Sequence, residues 1–593
     1  MLDPRIYRAA LLVVVLAVFV FAFSLQDEQG PLSTPLAPAA FNGSNAFATM
    51  RTEASSHPDR RPGSPGDDDV ASDVAIALAK NGLVVSTSNF NAQTADGVRR
   101  LETVTGTLPG VTGGSIVVVA HRDALGAPSE AALSGTGVLT ELARDLSGET
   151  HQRTIVLAST SGSDGAAGAA QLVRDLPGPV DAVIVLGDLA GTQVRQPIVV
   201  PWSASQNVAP PMLRNTVAAA LSAQAALPSN GTSLVGQFAH LAFPFSTGEQ
   251  APFGRRGVPA VLVSLSGERA PARDEPVNAT QTTALGQTVL QTINALDSGP
   301  PVPSPSPYLL INGMMVPAWA IRMLVLALMI PVLVTAIDGL ARARRRGHAI
   351  TPWVIWVLAG ALPFVLAALL PRVLKLVGLI KVAPPGPVGA GVVPLHSAGI
   401  AVLVALGCTL VASFAVLRPL AIRVAGGEPQ ANRRVREPAS LGAGAAVIIV
   451  MCAVTLALWE TNPLAAALIL PALHLWIWIV DPHVRLRPAL IVGLLLAGLV
   501  PGVLVILYYA MGLQLSAVGV AWSFTLLLAS AYIGTLTVVL WSVVLGCTVS
   551  VFAIALRRAR ADRPQEATAV TVRGPIGYAS PGSLGGTRSA VRR

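Results

Sequence analysis

The chain of 593 residues has three cysteines, three lysines and 12% charged side chains, and each shortage excludes something. Cys408, Cys452 and Cys547 all fall in long apolar runs, so residues 27–300 have neither a disulfide nor thiol chemistry to offer. Lys80, Lys375 and Lys381 are the only lysines and arginine supplies the other cations, a bias expected of a GC-rich bacterial genome. So little charge against 52% hydrophobic residues does not suit an ordinary soluble enzyme. Nor is the net charge of +9 evenly spread. Residues 27–300 carry 24 acidic and 16 basic side chains, and the positive excess lies elsewhere, between apolar runs, which argues against a nucleic-acid partner.

What is present falls into two kinds of sequence. Ala9–Leu25 is an apolar run preceded by Arg5 and Arg8 and followed by Gln26-Asp27-Glu28, with no small-residue cleavage site. That pattern predicts an uncleaved anchor over residues 1–26. A spacer (27–49), a domain (50–299) and a Pro-rich linker (300–316, containing PPVPSPSP) follow. Seven further spans are expected between 317 and 558, at about 317–340, 351–371, 397–417, 440–460, 463–480, 489–511 and 535–556. Residues 516–533 are expected to be interfacial or re-entrant. Arg342–Arg346, Arg418–Arg436, Arg485/Arg487 and Arg557–Arg563 recur after every second crossing. The positive-inside rule then puts residues 27–307 outside a plasma membrane, and a disordered basic tail (559–593) in the cytoplasm.

Within 50–299, strand-like and helix-like segments alternate, which predicts an α/β fold with a mostly parallel sheet covered by helices. Asp67–Asp69 open a helix bearing Val70, Val74 and Leu78 on one face. Leu83–Phe90 and Arg99–Thr107 alternate as strands, and Ser115–Ala120, Thr154–Ala158 and Val183–Leu186 are short valine-rich runs. Ala260–Leu265 is a late strand, and Pro210–Ala226 and Val277–Leu296 read as helices. The run Ser115–Ala120 delivers His121 and Asp123 to its carboxyl end, where open α/β sheets place their ligands.

Several collinear stretches resemble the M28 family of zinc exopeptidases, aminopeptidase type. They are HPDRRPGSPGDDDVA (57–71), GTLPG (106–110), AHRD (120–123), SGTGVLTELAR (134–144), VLGDLAG (185–191) and APFGRRGVPAVLV (251–263), spread over about 220 residues. The resemblance implies a zinc-exopeptidase-like fold and a site where two zinc ions share a bridging carboxylate and a water, with a glutamate as general base. It implies His121 as a histidine ligand, Asp123 as the carboxylate orienting it, and Asp188 as another ligand. The departures are severe. The bridging aspartate falls on Ala131, the base on Gly162, the next carboxylate ligand on Ser163 and the last histidine on Gln250. Zinc wants three or four good ligands, so the expected outcome is a vestigial or weak site and a domain retained for binding.

Three alternatives stand beside that reading. Glu130, Asp164 and Glu249 each neighbour a lost position, so a one-residue loop shift would rebuild a carboxylate site for an active aminopeptidase. A Ser–His–Asp arrangement of Ser134 or Ser163 with His121 is possible on paper, without a nucleophile-elbow pattern. His474, between Pro471 and the Trp476/Trp478 pair in span 463–480, is the polar residue to watch for a transport role, against a plain packing contact. The plan of anchor, M28-like domain and seven spans is similar to the attachment subunit of glycosylphosphatidylinositol transamidase. That similarity implies membrane lipids and other membrane proteins as partners, and a peptide- or lipid-linked ligand.

Overall fold

The computed structural model describes residues 4–33, 40–125, 130–228, 231, 233–345, 347, 350–425, 441–481, 484 and 486–561. The tail beyond Ala561, most of the arginine-rich stretch 418–436, Arg346 and Arg485 lie outside the described residues.

Seven strands form the central sheet: β1 (Val84–Thr94), β2 (Gly97–Leu108), β3 (Ser115–His121), β4 (Thr154–Thr160), β5 (Val180–Leu186), β6 (Val199–Val200) and β7 (Ala260–Val263). Their order is β1-β2-β4-β3-β5-β7-β6. The four central strands β4, β3, β5 and β7 run parallel, while the hairpin β1–β2 and the short β6 are antiparallel edges. The alternation of β-structure sends neighbouring side chains to opposite layers. Ile116, Val118 and Ala120 of β3 face a layer made by helices Gly43–Ser56, Pro65–Lys80, Ser134–Leu146, Pro211–Ala225 and Ala279–Ser298. Val117 and Val119 face a second layer, with Ala169, Ala239, Leu241 and Phe253, that continues into the apolar helices.

Two segments outside the expected domain limits belong to it. Helix Gly43–Ser56 starts in the stretch read as spacer and buries Ala46 and Met50 in the core. The Pro-rich linker ends in a hairpin, Tyr308–Ile311 with Met314–Pro317, and Gln26–Asp27 pairs antiparallel with the second strand.

Among the described residues, eight helices are long and apolar enough to cross a membrane: Arg5–Phe23, Ala318–Arg345, Thr351–Leu376, Ser397–Val424, Gly442–Thr461, Pro463–Val480, Pro488–Gly512 and Thr535–Arg558. Ala517–Ala529 is also apolar, but 13 residues give roughly 20 Å, short of a bilayer's ~30 Å core. The α/β domain is fastened to this helical part. At the turn between two candidate spans, Asn462 Oδ1 accepts from the N–H groups of Leu464 and Ala465. Its Nδ2 donates to the carbonyls of Leu241 (2.9 Å) and Ala242 (3.1 Å). Tyr509 and Tyr532 donate to the carbonyls of Phe243 and Pro244 at 2.8 and 3.1 Å. His240 stacks parallel on Trp202, with centroids 4.6 Å apart, and meets Tyr508 and Tyr509 edge-on. Burial holds His240 down at about 4, so its ring enters this joint uncharged at neutral pH.

Candidate functional site

His121 closes β3 directly beside Thr160, the last residue of β4, so both side chains arrive at the carboxyl edge of the parallel sheet. The loop after β4 turns sharply through Gly162 (φ +80°) and Gly165 (φ +92°). That turn puts Ser163 over Asp123, whose carboxylate accepts from the Ser163 N–H and Oγ, each at 3.1 Å. Asp123, expected to orient the histidine, is instead bonded to Ser163. The carboxylate placed against the imidazole is Glu249, with Oε2 3.5 Å from His121 Nδ1 and Oε1 accepting from Thr160 Oγ1 at 2.8 Å.

Of the three neighbouring carboxylates, Asp164 and Glu249 line one cavity with His121, Asp123 and Asp188. Glu130 does not join them. It faces outward, 42% exposed and 3.6 Å from Arg51, because the short helix Glu130–Leu133 buries Ala131, Ala132 and Leu133 instead.

The electrostatics of the cluster follow from burial among like charges. Burial lowers the affinity of His121 for a proton, but Glu249, and then Asp123 and Asp164, outweigh it and lift the imidazole to about 9. Asp164 rises to about 6, through burial first and Glu249 next, against the opposing charge of His121. Asp123 is pushed upward by burial and by Asp67. At neutral pH the edge of the sheet thus holds a protonated imidazole among acidic side chains.

A dinuclear zinc centre does not fit these residues. Asp188 spends Oδ1 on the N–H groups of Ala190 and Gly191 and Oδ2 on Ser266 Oγ (2.6 Å). Ala131, at the bridging position, is fully buried. Gln250 turns its amide to Ser246 and Glu268 at 3.0 and 3.3 Å. A side chain at Gly162 would be strained by the left-handed backbone and would sit 2.9 Å from Leu101 Cδ1. Among the described residues, the group whose ligand atoms come within 4.8 Å of one another is Glu53, His57 and Asp73, on the outer face of the helices and apart from the sheet edge.

A serine nucleophile finds no support either. Ser134 Oγ donates to the Ala131 carbonyl at 2.6 Å, and Ser163 Oγ donates to Asp123. Beneath the site lies a buried ion pair that the sequence pattern did not single out. Arg122 Nε is 3.0 Å from Asp67 Oδ1 with both side chains fully buried, and Ser161 Oγ donates to Asp67 Oδ2 at 2.6 Å. Asp67 reads in sequence as a helix-starting carboxylate; its burial depends on Arg122, 55 residues away.

The cavity measures about 1080 Å³, and its far wall is not part of the α/β domain. The connection 377–396 between two candidate spans lies over the site loop. A Cβ on Gly165 would lie 3.1 Å from Pro384 Cβ and 3.2 Å from Pro385 Cδ. Trp522, on the short apolar helix, holds this connection by donating Nε1–H to the Val393 carbonyl at 3.1 Å. Arg195, Glu268, Arg269, Arg273 and Lys381 also line the cavity, and nothing in their local sequence marks them. His474 is placed elsewhere, with Nδ1 2.6 Å from Tyr7 Oη and Nε2 2.9 Å from the Leu328 carbonyl. It joins the first apolar helix to the second and the sixth.

No protein-family model matches the chain. No curated protein matches it either. Solved structures resemble its α/β part. A glutaminyl cyclase from an Acidobacteriales bacterium is 18% identical, with a TM-score of 0.35, over 44% of this chain and 97% of that one. The zinc aminopeptidase BSAP from Bacillus subtilis is 10% identical, with a TM-score of 0.36, over 43% and 94%. LapB from Legionella pneumophila is 16% identical, with a TM-score of 0.38, over 46% and 78%. At these identities and TM-scores the likeness ends at the fold and says nothing about the chemistry of the site.

Proposed function

We propose that the protein is a membrane-integrated, M28-like binding protein without catalysis, whose α/β domain stands outside the cytoplasm and helps assemble or present a peptide- or lipid-linked ligand. The observation that carries this reading is the His121–Glu249 pair, with Gly162 at the position of the base. Hydrolysis needs a base within reach of a water and a metal to activate it, and losing the base alone costs about 10²–10⁴-fold. Here the histidine is matched to a carboxylate, and Asp188 is matched to its own loop and to Ser266. The arginine-rich connections support a topology with 27–307 outside and the carboxyl tail inside. The partners in this reading are membrane lipids and other membrane proteins, with the architectural similarity to the transamidase attachment subunit as its background.

The test uses the full chain purified in detergent, measured for zinc by elemental analysis and for hydrolysis of aminoacyl amides. Substoichiometric zinc and no turnover are expected. Two zinc ions per chain with chelator-sensitive turnover would establish the second reading, an aminopeptidase with a rearranged carboxylate site. That reading draws on Asp164 and Glu249 lining one cavity with His121. A transport role for the spans has less behind it, because His474 is held by Tyr7 and Leu328 as a packing contact.

A further inference from the structure

The cavity carries charge of both signs. Its floor, at the carboxyl edge of the sheet, carries Asp123, Asp164 and Glu249 around the single imidazolium of His121. Glu249 is 3% exposed, and its Oε2 has no hydrogen-bond donor in bonding geometry; the nearest cation is His121 Nδ1 at 3.5 Å. A carboxylate oxygen buried without a donor is costly, and a donor arriving from the cavity would satisfy it. The lining also carries cations. Arg195, Arg269 and Arg273 belong to it, with Glu268 beside Arg269, and burial and the neighbouring charge of Arg195 hold Arg269 below the usual arginine range. Arg269 is fixed there by donating to the carbonyls of Met511 and Gly512, at the end of a candidate span. Beyond the charges the lining turns apolar. Leu379, which follows the end of helix Leu362–Leu376, lines the cavity while remaining 59% exposed, and Trp522 closes the side.

We propose that this cavity binds a phospholipid whose headgroup carries a primary amine, with the ammonium on Glu249 and Asp164 and the phosphate on Arg195, Arg269 and Arg273. The acyl chains leave past Leu379 toward the ends of the apolar helices. An ammonium with three N–H donors adds donors to the Glu249 oxygen beside its ion pair with His121, and guanidinium forks suit phosphate oxygens. A quaternary ammonium has the charge but no N–H, and a glycerol headgroup has neither. The proposal deepens the binding reading above by naming the ligand class, and it rests on the placement of the helices in a membrane.

The experiment titrates the full chain in detergent with short-chain phosphatidylethanolamine, phosphatidylcholine and phosphatidylglycerol, and with free phosphoethanolamine, following tryptophan fluorescence. Saturable binding of the ethanolamine lipid is expected, tighter than the choline lipid by about tenfold, the scale of one charge-assisted hydrogen bond. Trp522→Phe should lose most of the signal. Glu249→Gln and the pair Arg195→Ala/Arg273→Ala should each weaken binding about tenfold while thermal unfolding shows the variants folded. Equal affinity for the choline and ethanolamine lipids, or unchanged affinity in both variants, overturns the proposal. Free phosphoethanolamine binding as tightly as the lipid would assign the cavity to a soluble ligand and overturns it too. These outcomes are separable from the absence of catalysis, since zinc content and amide hydrolysis are read on the same preparation.

Discussion

Glu249 Oε2 lies 3.5 Å from His121 Nδ1, a buried carboxylate set against the imidazole at the carboxyl edge of the sheet. The pair has a pH signature. His121 and Asp164 both bind protons more tightly in the folded chain than in the unfolded one, so what they contribute to stability falls as pH rises. For Asp164 the window runs from 3.8 to about 6, and for His121 from 6.5 to about 9. The melting temperature of the full chain should therefore decline between neutral pH and pH 9. His121→Gln should flatten that decline, and Asp164→Asn should flatten the change below pH 6.

Placing a glutamate at position 162 should not produce hydrolysis. Gly162 has φ +80°, and a Cβ there would lie 2.9 Å from Leu101 Cδ1 and 3.1 Å from Ala167 Cβ. Gly162→Glu is expected to lower stability by roughly 1–3 kcal/mol, seen in thermal unfolding, and to produce no hydrolysis of aminoacyl amides. Gly162→Ala should carry most of the same cost, because the strain is in the backbone.

Breaking the ion pair under the site should be severe. Arg122 and Asp67 are fully buried and 3.0 Å apart, so Arg122→Met leaves an uncompensated buried carboxylate. A loss of about 3–5 kcal/mol is expected, read as a drop in melting temperature or as failure to accumulate folded protein. Ser161→Ala, which removes one neutral donor to Asp67 and leaves the Gly63 N–H, should cost roughly 1–2 kcal/mol.

Asn462→Ala should loosen the joint between the two parts of the chain. It removes both the cap on Leu464 and Ala465 and the donors to Leu241 and Ala242. Hydrogen exchange is expected to rise across 234–245 and at 461–467, while strands β3 and β4 keep their protection.

Much of this architecture was legible in the sequence, for physical reasons that also mark where legibility stops. The valine-rich strands and the long apolar helices declare themselves because their periods and lengths are local properties. Helix Gly43–Ser56 did not, since it buries little beyond Ala46 and Met50 and its outer face is polar. The hairpin at 308–317 was hidden in a Pro-rich stretch because its pairing partner, Gln26–Asp27, is nearly 290 residues upstream. At the site, the arrival of His121 at the end of a buried strand could be read from the run Ser115–Ala120. Which spare carboxylate would take part could not, since that depends on loop geometry: Glu249 turns to His121, and Glu130 turns to Arg51. The cations of the lining were invisible for the same reason. Arg195, Arg273 and Lys381 come from separate loops that only the folded chain brings to one cavity.

The small sheet has a consequence of its own. Gln26 pairs with Met315 and Asp27 with Met314, so the chain leaves the first apolar helix and returns to the second at a single point. Helices Pro4–Phe23 and Ala318–Arg345, which follow on from those strands, also pack against each other. The α/β domain is thus a parenthesis within an otherwise continuous helical hairpin. Closing the gap between Asp27 and Met314 with a tight turn should give a chain whose apolar helices still assemble, provided the contacts at Asn462 and the tyrosines can be left open to solvent.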